Sequence, residues 1–178
     1  MRLFLTLIFT TFSTALLAQE VSARYELVKM DKTVNTFRHE AAPAVSPDGS
    51  MLYFFVQNHP ENTHGKDDTQ DIWFSRKDEQ GVWSPAEHLT NPFNIHPSNQ
   101  VFTILPDGSI FIKGGRSKGE KGFSIVTAGK QLIELDVKDF KKMNQGRFYG
   151  ATMSADKKHI LMYFSEADNS ANRDPYVC

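Results

Sequence analysis

The stretch SPDGSMLYFF (residues 46–55) sets a tight turn directly before a run of strand-forming residues, and the same grammar returns twice. It reappears as LPDGSIFIKG (residues 105–114) and, in looser form, as SADKKHILMYF (residues 154–164). In S-P-D-G, proline presets φ at the second turn position, aspartate bonds its own backbone, and glycine accepts positive φ at the end. A turn so encoded joins two antiparallel strands. EAAPAVS (40–46) and NQVFTIL (99–105) are the expected first strands; MLYFFV (51–56), SIFIK (109–113) and HILMYF (159–164), rich in β-branched and aromatic residues, are the expected second ones. The third copy has Ala155 and Lys157 where the others have Pro and Gly, so its turn is expected to be the least rigid.

The spacing makes this a repeat. Asp48, Asp107 and Asp156 lie 59 and then 49 positions apart; Asn35, Asn94 and Asn144 follow at 59 and 50. A third anchor, DIWFS at Asp71, lines up with FSIVT at Phe123 and DPYVC at Asp174, at steps of 52 and 51. Long polar connections, NHPENTHGKDDTQ (58–70), GGRSKGEKG (114–122) and SEADNSANR (165–173), separate second from third strands. WSPAEHL (83–89) and LIELDV (132–137) supply fourth strands, and DVKDFKKMNQG (136–146) offers at most one turn of helix. Each unit is thus a four-stranded antiparallel meander of about fifty residues, the size of a propeller blade.

The fold class expected is all-β, a partial β-propeller of about two and three-quarter four-stranded blades plus an orphan outer strand. Its parts are a signal peptide at 1–18, an outer strand of a closing blade at 19–36, blades at 37–94 and 95–144, and an incomplete blade at 145–178. The leader MRLFLTLIFTTFSTALLAQE has a basic start, an apolar run and a small-residue end at Ala15 to Ala18, so the chain is expected to be exported, periplasmic or secreted, and not membrane-spanning after cleavage. The only cysteine is Cys178, so no internal disulfide is available and no lipid attachment follows the leader. Exposed blade faces and unpaired edge strands would favour self-association.

The pattern P-A-V-S-P-D-G-S-M-L-Y-F followed by D-I-W-F-S and W-S-P-A-E-H-L resembles the PD40, or WD40-like, repeat of TolB-type β-propellers. The second unit keeps Pro106, Asp107 and Gly108 but has Phe123 where that family usually has Asp, and the third departs at the turn. The resemblance implies a six-bladed ring as the usual form, an exported location, and binding of other proteins or ligands. It does not imply catalysis.

Residues that carry chemistry are few. Net charge is −1 from 20 basic and 21 acidic residues, with no long run of one sign, which excludes a nucleic-acid footprint. His39, His59, His64, His88, His96 and His159 form no metal-ligand spacing, and Asp67, Asp68 and Asp71 lack the remainder of a calcium loop, so no metal and no cofactor is expected. Asp71 reads as a cap at its strand. There is no G-x-S-x-G elbow and no phosphate loop. The aromatic side chains read as packing between blades, with Trp83 as the candidate for stacking on a glycan.

First strands of a propeller begin nearest its axis, so their starts ring the channel mouth. His39, Ser98 and Arg147 are equivalent by the steps of 59 and 49, as are Glu40, Asn99 and Phe148. Of these, His39, Glu40, Ser98, Asn99 and Arg147 are the candidate ligand-binding residues. No catalytic residue can be named, so the function expected is a binding scaffold for a protein or glycan ligand of the cell envelope. The alternative is the propeller portion of a carbohydrate- or peptide-processing enzyme whose catalytic residues lie outside this chain.

Overall fold

The structure, a computed structural model, describes residues 25–114, 120–168 and 172–178. The predicted signal peptide lies outside these residues. What they form is all-β: three antiparallel sheets and one short helix. The first sheet runs β1 (His39–Val45), β2 (Met51–Gln57), β3 (Gln70–Arg76), β4 (Glu87–His88) in spatial as in chain order. The second repeats this with β5 (Gln100–Ile104), β6 (Ile110–Lys113), β7 (Phe123–Val126) and β8 (Leu132–Leu135). The third has β9 (Gly150–Met153), β10 (Ile160–Phe164) and β11 (Asp174–Val177). Strands β1, β5 and β9 neighbour one another, so the first strands of the three units stand side by side. No helix among the described residues is long and apolar enough to cross a membrane.

Apolar alternation on the strands is consumed between the sheets. Ile72, Val101, Ile110, Ile112 and Val126 pack the first sheet on the second. Phe111, Phe123, Phe140, Tyr149, Met162 and Phe164 pack the second on the third, where the rings of Phe111 and Phe123 stack at 5.6 Å. Helix α1 (Phe140–Met143) is a single turn that delivers Phe140 into this cluster. On the free face of the first sheet, Val34 and Met30 cover Leu52, Phe54, Val56 and Trp73.

Two expectations change. The outer strand expected at 19–36 does not form in its described part: residues 25–31 pair with no strand, and Leu27 is 102% exposed. A strand with no adjoining sheet has no partners for its N–H and C=O groups, so this segment is held towards its end, where Met30 packs on the first sheet, Asn35 Nδ2 donates to Met30 O (2.9 Å) and Ala86 N–H donates to Thr33 O (3.0 Å). The third turn is also not the looser one. Lys157 sits at φ 61°, beside 73° for Gly49 and 77° for Gly108. Lys157 N–H donates to Ser154 O (2.9 Å) and Asp156 accepts from Lys158 N–H (3.1 Å), the same bonds that Asp48 and Asp107 organise in the other two turns. The left-handed conformation is demanded by the turn, and in the third copy a side chain bears its strain. Lys157→Gly should therefore raise stability by about 0.5 kcal/mol, relief of strain offset partly by backbone entropy, while Gly108→Val should lower it by about 2 kcal/mol. Opposite shifts in urea midpoint are the expected result; shifts of the same sign would contradict it.

Candidate functional site

The register of the hairpins determines which strand-start residues correspond. Ala41 lies opposite Phe55, Gln100 opposite Lys113, and Gly150 opposite Tyr163. Strands β1 and β5 each carry a bulge, between Ala41 and Ala44 and between Val101 and Thr103, whereas β9 pairs without one. The step of 49 therefore holds at the turn end of the strands and becomes 50 at their starts. Corresponding residues are His39, Ser98 and Phe148, and Glu40, Asn99 and Tyr149. Arg147 matches Pro97, one position earlier than the sequence spacing alone placed it.

The five expected site residues do not form one ring of free side chains. His39 Nδ1 lies 2.8 Å from Gln57 Oε1, with its ring edge-on to Phe55. Glu40 accepts from Thr36 N–H (3.3 Å) and lines an open space of about 920 Å³ together with Asp31, Thr36 and Phe37. Asn99 is fully buried, which removes it as a ligand contact. Ser98 meets a residue the sequence reading passed over, Lys113. Ser98 Oγ accepts from Lys113 Nζ (3.0 Å), and Arg147 reaches across to pair with Asp68, from the long connection after β2. Phe148 is exposed, with the guanidiniums of Arg147 and Arg173 at 5.6 and 5.5 Å from its ring. Trp83 packs on the free face of the first sheet with Lys77 Nζ 4.7 Å over its ring, so a face needed for sugar stacking is covered.

Beneath these residues a polar network ties the first sheet to the second. Asp71, on β3, is 0% exposed. Its Oδ2 accepts from Thr63 N–H (2.6 Å) and His88 Nε2 (2.8 Å), and its Oδ1 accepts from Asn99 Nδ2 (3.2 Å). Asn94 grips the next residue of β3, accepting from Ile72 N–H (2.7 Å) and donating to Ile72 O (3.0 Å). Asn99 N–H donates to Gln70 O (2.7 Å), Gln70 Nε2 donates to Asn99 O (3.0 Å) and Gln70 N–H donates to Pro97 O (2.8 Å), which fixes the loop carrying Ser98. Gly114, at φ 83°, closes the arrangement: a Cβ there would stand 2.6 Å from Asn99 Oδ1.

At the junction of the second and third sheets the same position is solved with opposite sizes. Tyr149 takes the place of Asn99, and its phenol accepts from Gly122 N–H (3.1 Å) and donates to Gly122 O (3.3 Å). By the register, Gly122 stands where Asp71 does in the first unit. A short Asn meets an Asp; a long Tyr meets a Gly. Burial pushes the Tyr149 phenol up to about 12, so it stays a neutral donor.

Lys113 lies on this scaffold, 6% exposed, with its ammonium 4.8 Å from the centre of the Tyr149 ring. By the register it occupies a slot that is Phe55 in the first unit and Tyr163 in the third. Burial, then the positive charges of Arg147 and Lys121, lower it from 10.5 to about 8. Burial also lowers His96, with the charge of Lys113 adding to the effect. No carboxylate among the described residues pairs with Lys113. No group of three or more His, Cys, Asp or Glu side chains among the described residues is placed to hold a metal. Compared with known proteins, no family model matches the chain, and no curated protein matches it.

Proposed function

We propose that this chain is an exported, repeat-built binding scaffold of the TolB-like β-propeller kind, its sheets acting as blades, and that it recognises a protein or ligand of the cell envelope through the end at which β1, β5 and β9 begin. The observation that carries the reading is the contrast between the two ends of the sheets. At the turn end, Asp48 and Asp156 bond within their own turns, and Asp107 bonds its own turn through Oδ1 and Lys157 Nζ of the third turn through Oδ2, so these carboxylates are already engaged. At the strand-start end, Phe148 and Arg147 stay exposed, and Ser98 and Lys113 lie behind them on a buried polar framework. A rigid floor under exposed polar and aromatic groups is what recognition needs, because little side-chain freedom is then lost on binding.

The test is site-directed photocrosslinking in envelope extracts, with the crosslinking residue placed at Phe148 or, at the opposite end, at Pro106. The expected result is a discrete crosslinked species from position 148 and none from position 106. Equal crosslinking from both would refute recognition by this end.

A further inference from the structure

We propose that Lys113, with Ser98, Arg147 and Lys121 around it, forms an anion subsite that takes a carboxylate group of the bound ligand. This deepens the recognition reading and rests on it for the site's place in a larger ligand.

The argument starts from a cation in an aromatic slot. A lysine held among strands and a tyrosine ring gives up hydration, and buried ammonium groups are ordinarily matched by a carboxylate. The charged residues the fold brings to this place are Lys121, one residue before the Gly122 whose carbonyl accepts from Gly114 N–H (3.2 Å), and Arg147, next to the Gly146 whose carbonyl accepts from Lys121 Nζ; both are of the same sign as Lys113. An ammonium has three N–H donors, and Ser98 Oγ is the hydrogen-bond acceptor for one. Lys121 is itself anchored, donating to Gly146 O (2.7 Å). The phenol of Tyr149 is turned to Gly122, so its ring and not its hydroxyl faces the ammonium. Three cations thereby gather at this end of the sheets, and among the described residues no carboxylate pairs with the innermost.

Among the described residues, the anion that touches the group shows which chemistry fits. Asp68, from the connection after β2, sits on Arg147, and both side chains are largely exposed, 71% and 65%. A carboxylate is therefore already the partner of the outermost cation, and it is held loosely enough to be displaced or joined. A monoanionic carboxylate suits a lysine, a hydroxyl and a guanidinium, which offer separate donors in place of a cage of backbone N–H groups of the kind that grips phosphate.

The experiment follows acetate, and then a short peptide with a free C-terminus and its amidated twin, by NMR of the lysine side chains at constant ionic strength set with chloride. Acetate is expected to raise the Lys113 titration midpoint by about one unit or more; the free-carboxylate peptide should do the same and the amidated peptide should not. Lys113→Met should weaken acetate binding about tenfold or more, the loss of a charge-assisted hydrogen bond and its charge. Asp68→Asn, at an exposed position that does not threaten folding, should tighten it about threefold by removing the competing carboxylate. An unmoved Lys113 midpoint, or equal acetate affinity in the wild type and Lys113→Met, would overturn the subsite. If acetate binds as expected while crosslinking from position 148 fails, the subsite stands and the recognition face falls; crosslinking from 148 with no acetate response gives the converse.

Discussion

Replacing Asp71 by Ala is expected to lower stability by about 3–4 kcal/mol, the range for removing one member of a buried charged network. Thr63 N–H and His88 Nε2 lose this acceptor, and Asn99 Nδ2 is left with Gln70 O and His96 O. The side chain of His88 is 18% exposed and can recover water, but Asn99 is fully buried and cannot. Asp71→Asn should cost less, about 1–2 kcal/mol, because one oxygen still accepts while the new amide faces a donor. Asp68→Ala removes a carboxylate of the same type from an exposed pair and should cost under about 1 kcal/mol. Urea denaturation of the three variants checks the order, and a loss below about 1 kcal/mol for Asp71→Ala would mean that the network orients the Ser98 loop without stabilising the fold.

The network also explains why the two junctions between sheets cannot be exchanged piecemeal. Asn99 needs a side chain to meet it, and Asp71 supplies one; Tyr149 needs the absence of a side chain, and Gly122 supplies that. A Tyr at 99 would collide with Asp71, and an Asn at 149 would leave the Gly122 N–H without its acceptor, while Gly122 O keeps the bond from Gly114 N–H (3.2 Å). These are coupled positions some 28 residues apart in sequence, and their substitutions are not expected to add.

The fold was legible because its instructions are local. A P-D-G turn between two apolar runs names its own conformation, and repetition of that turn marks the unit; the three hairpins and the single helical turn at 140–143 lie where those signals place them. Strand β4 was overestimated: WSPAEHL yields only Glu87–His88, since Pro85 cannot donate and Trp83 contributes only an isolated bridge to Lys77. The site was less legible because its determinants are relational. A missing bulge in β9 shifts every correspondence at the strand start by one residue, and a bulge leaves no reliable mark in a single sequence. Asn99 reads as a polar residue at a loop end, yet burial turns it into a structural strut. The repeated asparagine was a true signal with unequal use: Asn94 grips β3, while the side-chain amide of Asn144 is buried with no hydrogen-bond partner. Lys113 had a signal that could have been used. Its strand ends in lysine where the other two copies carry aromatic residues, but a lysine at a strand end is ordinarily solvated and was passed over for that reason.

Lys113→Met is expected to stabilise the protein at pH 7 by about 2 kcal/mol, although it deletes a hydrogen bond to Ser98. Holding the ammonium in place at neutral pH works against folding, since the folded state lowers this lysine from 10.5 to about 8. Below about pH 8 both folded and unfolded states carry the proton, and the cost is present in full and constant. Between about 8 and 10.5 the folded state has released the proton while the unfolded chain keeps it, so the unfolded state binds more protons and stability rises with pH. Above 10.5 both are neutral and the curve flattens, after a gain of roughly 3 kcal/mol. The advantage of Lys113→Met over wild type in unfolding free energy, measured from pH 7 to 11, should therefore fall with pH and reverse sign, as a gain of roughly 3 kcal/mol overtakes about 2, with other titrating groups cancelling between the two proteins. A difference that stays constant across that range would show that Lys113 is not strained by its surroundings. A cation kept where a methionine would hold the fold better must be recovered elsewhere, and a ligand carboxylate is the group that can recover it. Acetate at a fixed concentration should accordingly raise the wild type's melting temperature at pH 7 more than that of Lys113→Met.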